Sequence, residues 1–217
     1  MTSVQRAAGT AGLAVAVLFL ILLGATAAYD PGAYNDPVRA LAFAQQATGL
    51  RALVGTAGVL AGIALVIFFA GLGDRLGTGA PVRALLARYL GVIAGAALAF
   101  GSLVDWIGIN SLASFKDQTA AQHAWVAIFA FDAGIYGLTG VFLGIAVLAA
   151  GAAMVRERLV SAAAGWLALV GAAVIVLGIV LQGVVPADTT WLFAFYIVAG
   201  ILLLIWFGWT GAALRRA

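Results

Sequence analysis

Six apolar runs, each about long enough to cross a bilayer, take up most of this 217-residue chain. They fall at residues 9–28, 51–72, 84–112, 122–153, 160–185 and 190–213. A membrane helix needs about 20 mostly apolar residues to cover about 30 Å of hydrocarbon. In lipid every backbone N–H and C=O must be paired internally, so a span is a helix or part of a closed barrel. These runs are too long for barrel strands and lack their two-residue alternation. The expectation is an all-α integral membrane protein, a six-transmembrane-helix up-and-down bundle. With short connections between spans, residues 1–217 form a single membrane domain.

The first run needs separate scrutiny. Arg6, an apolar stretch and then Ala25-Thr26-Ala27 resemble a signal peptide with a small-residue cleavage site. We read the segment as a retained first span.

Only 9% of the residues are charged, so the position of each charge carries information. With the N-terminus placed in the cytoplasm, the inner side receives Arg6, Arg75, Arg83, Arg88, Arg156, Arg158, Arg215 and Arg216. The outer side receives Arg39, Arg51 and Lys116. The positive-inside rule applies best to short loops such as these, and it predicts a cell-membrane protein with both termini cytoplasmic. Asp30, Asp36, Asp117 and Asp188 fall in the outer loops. The basic residues make no cluster able to track phosphates, so nucleic acid is not an expected partner. The lipid bilayer is. The chain has no cysteine, which excludes disulfides and thiolate ligands.

Turn residues punctuate the connections. Tyr29-Asp30-Pro31-Gly32 and Asn35-Asp36-Pro37 mark the first outer one, and Gly77-Thr78-Gly79-Ala80-Pro81 the first inner one. Residues 38–50, with Gln45, Gln46 and Thr48, are too polar for mid-membrane. They predict either an interfacial helix or an extension of the second span into water.

A faint repeat links spans two and four. Gly55-Thr-Ala-Gly-Val-Leu-Ala-Gly-Ile-Ala64 matches Gly137-Leu-Thr-Gly-Val-Phe-Leu-Gly-Ile-Ala146 at six of ten positions. If these arose by duplication, the repeats are parallel, because an even number of spans preserves orientation. Inside them lie Gly58-x-x-x-Gly62 and Gly140-x-x-x-Gly144. Glycines at i and i+4 leave a flat strip that lets a neighbouring helix approach closely. Packing within one chain is the plainer use of such strips, and a subunit or homo-oligomer interface is the alternative.

Asp105 and Asp132 are the most pointed residues, each in an otherwise apolar stretch. Counted from a connection centred near residues 118 and 119, both sit about thirteen residues into their spans. At 1.5 Å per residue that places them at similar depth. An ionised aspartate at a helix centre costs about 2.5–3.5 kcal/mol on insertion scales. Two of them are expected to point inward, to pair with a donor, or to take up a proton. Candidate partners are Arg51, Tyr136, Ser102, Asn110 and Gln182. The resulting cluster has three readings: a structural stitch between spans two, three and four; a proton, cation or small-solute site open to the outside; or a contact for a lipid headgroup, cofactor or partner helix.

Other residues carry less. His123, the lone histidine, stands beside Gln122 and Trp125 at the entrance to span four. A single interfacial histidine fits better than a haem ligand, since no second histidine exists to face it. Asp30, Asn35 and Asp36 fall short of the six to eight oxygens of calcium coordination and read as capped turns, so no metal is expected. Tyr29, Tyr34, Trp125, Trp191, Trp206 and Trp209 lie mostly towards span ends and read as an interfacial belt. No hydrolase, zincin, phosphate-loop or dinucleotide motif occurs, so no catalytic residue is assigned and an enzyme is not expected. The sequence names no cofactor.

In composition the chain is similar to many small bacterial membrane proteins, a likeness that carries no functional residue with it. The leading expectation is a non-catalytic accessory or scaffold subunit of a larger inner-membrane assembly, working through packing and protein partners. The alternative is a small transporter or channel for protons, cations or a small solute, built on Asp105 and Asp132. Spans one, five and six are almost purely apolar, which weighs against a pore through one protomer.

Overall fold

A computed structural model of the chain describes residues 3–26, 28, 36–157, 160–184 and 190–216, without the side chains of Thr26 and residues 182–196. It is all-helical, with no strand among the described residues. Six helices are long and apolar enough to span a membrane. They are α1 (Ser3–Thr26), α3 (Thr48–Leu76), α4 (Pro81–Ala113), α5 (Gln118–Glu157), α6 (Ala162–Val184) and α7 (Thr190–Arg216). A shorter helix, α2 (Pro37–Gln46), precedes the second span. The chain is thus a multi-pass membrane protein in contact with the lipid bilayer.

The six long helices form a closed ring in chain order. Each packs on the next, apart from α1, which packs on α3 past the short α2, and α7 returns to pack on α1. Both chain ends therefore lie in the same half of the ring. The other half carries α2.

The half with the chain ends is filled by aromatic side chains and drawn tight by glycine. Phe68 and Phe69 of α3 meet Trp206 and Phe207 of α7, all four fully buried, with Phe68 edge-on to Trp206 at 5.6 Å between ring centroids. Edge-to-face packing of this kind adds to simple contact because ring edges are electropositive and faces electronegative. Backbones touch where glycines meet. A Cβ added at Gly151 would lie 2.8 Å from the Gly165 carbonyl oxygen across the α5–α6 seam. One added at Gly211 would lie 2.8 Å from the Gly9 carbonyl oxygen across α1–α7. Lipid tails are as apolar as leucine, so such close approach, not hydrophobic exclusion, holds membrane helices together.

These contacts correct one sequence expectation. Trp206 is a core residue and not part of an interfacial belt, because α7 continues for ten residues beyond it. Trp125 is also buried, whereas Trp209 is exposed. Tyr29, Tyr34 and the Trp191 side chain lie outside the described residues, as do Asp30, Asn35, Arg158, Asp188 and the Gln182 side chain.

Residues 38–50 divide between a separate short helix and the first turn of α3. Asp36 caps α2, its Oδ1 accepting from the amides of Val38 at 2.8 Å and Arg39 at 3.3 Å, and Pro37 fills the first turn, where no amide is needed. The helix breaks at Ala47, whose φ of −107° and ψ of 35° are not helical, and α3 starts at Thr48. Ala40, Leu41 and Ala44 form the buried face of α2, packed on Ile109, Leu112, Ala121 and Trp125 of α4 and α5. Gln45 Nε2 donates to the Ala113 carbonyl at 2.7 Å and so satisfies one of the free carbonyls at the end of α4.

Candidate functional site: a polar pocket beneath α2

Beneath α2 the ring encloses a cavity of about 410 Å³. Its described wall comes from α1 through α5, and it brings together Arg51, Ser102, Asp105, Asp132 and Tyr136. Phe43 of α2 and the Trp125–Phe129 pair of α5 supply its aromatic lining. The Trp125 and Phe129 rings stack at 4.8 Å with 12° between their planes.

Arg51 enters from the first turn of α3 and is 4% exposed. Its Nε donates to Asn110 Oδ1 at 3.1 Å. Its Nη2 donates to the Asp105 carbonyl at 3.0 Å and reaches Asp105 Oδ1 at 3.5 Å. A buried guanidinium needs this kind of multiple engagement, since an unpaired charge at such a position is costly. The Asp105 side chain keeps 25% of its exposure. Ser102 Oγ and Tyr136 OH form a second pair at 3.4 Å across the α4–α5 seam.

Asp132 is different. It is 9% exposed, and its buried Oδ1 has no hydrogen-bond partner among the described residues. The indole Nε1 of Trp125, two turns along the same face of α5, is buried and likewise without a partner among the described residues. Asp132 lies level with Gly101, about one turn deeper than Asp105, because a Cβ at Gly101 would sit 3.5 Å from Asp132 Oδ1. The equal depth expected from sequence shifts because α4 ends at Ala113 and α5 begins at Gln118, so the turn is centred earlier than residues 118 and 119.

The two glycine strips serve different seams. Gly58 abuts Ser102, and Gly62 meets the backbone of α4 at Gly95 and Ala99. Gly140 and Gly144 face Ile179 and Val176 of α6. His123 is exposed and lies away from the cavity wall. No group of three or more His, Cys, Asp or Glu able to hold a metal occurs among the described residues.

Sequence reasoning picked out the charged members of the pocket and missed its aromatic wall. Phe43 and Phe129 read as ordinary apolar residues of a membrane chain, and Trp125 as part of an interfacial belt. The one available signal was Trp125 and Asp132 sharing a helix face at a spacing of seven.

A family model described as a domain of unknown function matches residues 8–210, nearly the whole chain. The chain belongs to the DUF4386 family. Comparison of this DUF4386 chain with curated proteins and with solved structures gave no match.

Proposed function

We propose that this protein is a small-solute carrier of the cell membrane, with both termini cytoplasmic and its binding pocket on the outer side, and that it performs no covalent chemistry. One observation supports this above the rest: a cavity of about 410 Å³ between the long apolar helices, whose wall holds a buried carboxylate with an oxygen unpaired among the described residues. Ligand sites are concave, mostly apolar and furnished with a few convergent polar groups, which describes this pocket. Intramembrane ionisable residues also mark solute paths far more often than idle positions. The aromatic plug of Phe68, Phe69, Trp206 and Phe207 stands against a permanently open channel. A pocket in one half and a plug in the other match one state of an alternating-access carrier. An accessory-subunit role draws less support, because Gly58, Gly62, Gly140 and Gly144 all face neighbours within the ring.

The absence of cysteine makes the test clean. Ala133→Cys places a thiol on the pocket wall, and Ala150→Cys places one in the closed core as a control. In right-side-out vesicles a membrane-impermeant thiol reagent should label the Ala133→Cys variant and spare the Ala150→Cys control. In inside-out vesicles labelling at position 133 should be slower but measurable. Labelling from the outside alone under all conditions would leave a binding protein and sink the carrier. No labelling from either side would sink the pocket.

A further inference from the structure

The polar groups of the pocket are unequal in what they still need. Arg51 is engaged by Asp105 and Asn110, and Ser102 by Tyr136. Among the described residues of the pocket, two groups remain with a buried atom unpaired: Asp132, which needs a donor, and Trp125, which needs an acceptor. Such atoms are rare in folded proteins and each calls for an explanation. They are seven residues apart on one helix face, or about 10 Å along the axis, too far for a single water to join. Between them runs the Trp125–Phe129 stack.

The charges lining the cavity are two carboxylates against one guanidinium. Arg51 is held at Nε and Nη2 by Asn110 and Asp105, whereas Asp132 Oδ1 has no partner among the described residues, so the excess carboxylate favours a cationic guest. Aromatic faces beside a carboxylate favour an organic cation further, through attraction of positive charge to the ring quadrupole. A bare metal ion is poorly served, since the wall is mainly apolar and offers too few oxygens.

We infer that the pocket takes an elongated organic amine, with its ammonium group donating to Asp132, its apolar body along the Trp125–Phe129 stack, and an acceptor reaching Trp125 Nε1. This assignment rests on the carrier reading only in needing the pocket to be accessible. The ammonium group has two sources, a free amine or the headgroup of an aminophospholipid.

Three six-carbon primary amides separate the chemistry: 6-aminohexanamide, hexanamide and adipamate, whose other ends are an ammonium, a methyl and a carboxylate. Binding is measured by calorimetry on the full chain in phosphatidylcholine nanodiscs. The amine should bind about tenfold or more tightly than hexanamide, and adipamate weakest. Asp132→Asn, which keeps the side-chain shape, should erase the preference for the amine. Trp125→Phe should weaken amine and hexanamide alike and leave that preference intact. Adding phosphatidylethanolamine to the discs should weaken amine binding if the source is a lipid headgroup and leave it unchanged if the source is a free amine.

Equal binding of all three probes, or tightest binding of adipamate, overturns the amine assignment and leaves the pocket standing. Retention of the amine preference in Asp132→Asn overturns it too. No binding of any probe at about 10 mM overturns both the assignment and the pocket on which it rests.

Discussion

The half of the ring that holds the chain ends and the half that holds α2 are built on opposite terms. In the first, glycines meet glycines, at Gly151 with Gly165 and at Gly9 with Gly211, and four large aromatic side chains fill the centre. In the second, side chains stand between the helices: Ser102 against Gly58 and Trp106 against Gly55. Gly134 and Gly137 there have no neighbour within 4 Å of an added Cβ. Close backbone contact at one end and spacing side chains at the other leave room for the cavity. Shape holds the first half together, and polar pairing holds the second.

Removing the central pairing should produce the largest effect on stability. Arg51→Met leaves Asp105 with no cation beside it, and breaking a buried pair by removing one partner costs about 3–5 kcal/mol. The exposure that Asp105 retains favours the lower end, on the order of 3 kcal/mol. Adding Asp105→Asn to Arg51→Met should recover most of that loss in a thermal melt of the detergent-solubilised protein. A double variant no more stable than Arg51→Met alone would mean that the pair does not hold the α2 half.

The glycine seams come next. Gly62→Ala sets a methyl group against the Gly95 carbonyl and 2.6 Å from the Ala99 amide, where only backbone can yield. Overpacking of this kind costs about 1–3 kcal/mol, so the melting temperature should fall. Gly144→Ala, facing the Val176 side chain at 3.3 Å, should cost less. Equal losses at the two positions would contradict the difference between the seams. The smallest effect is expected at Gly134→Ala, which meets open space and gains about 0.5–1 kcal/mol from helix propensity. A fall in stability there would show that α5 uses this face for another contact.

The same contrast explains what the sequence made legible. The six spans could be read because about 30 Å of hydrocarbon dictates their length and composition. Arg51, Asp105 and Asp132 could be read because a charge stands out in an apolar run, and Arg51, Asp105 and Asn110 do come together. The walls could not. Lipid, core and pocket are all apolar in a membrane protein, so periodicity no longer separates an inward face from an outward one. Phe43, Trp125 and Phe129 therefore gave no sign that they line a cavity, and Trp206 passed for an interfacial residue. The break at Ala47 was hard to place for a different reason: Ala47 is itself a strong helix former, and the nearest glycine, Gly49, lies inside the first turn of α3.

The contact between α1 and α7 joins two helices far apart in the chain. Until α7 is synthesised, Gly9, Gly12 and Val15 have only α3 and lipid to lie against, and the ring is an open arc. Every described residue of the pocket wall lies between Leu22 and Tyr136, so the ribosome has delivered that wall before it begins α6. The pocket wall can thus be complete before α7 exists, and the glycine clasp at Gly9 and Gly211 closes the ring only once α7 has been made.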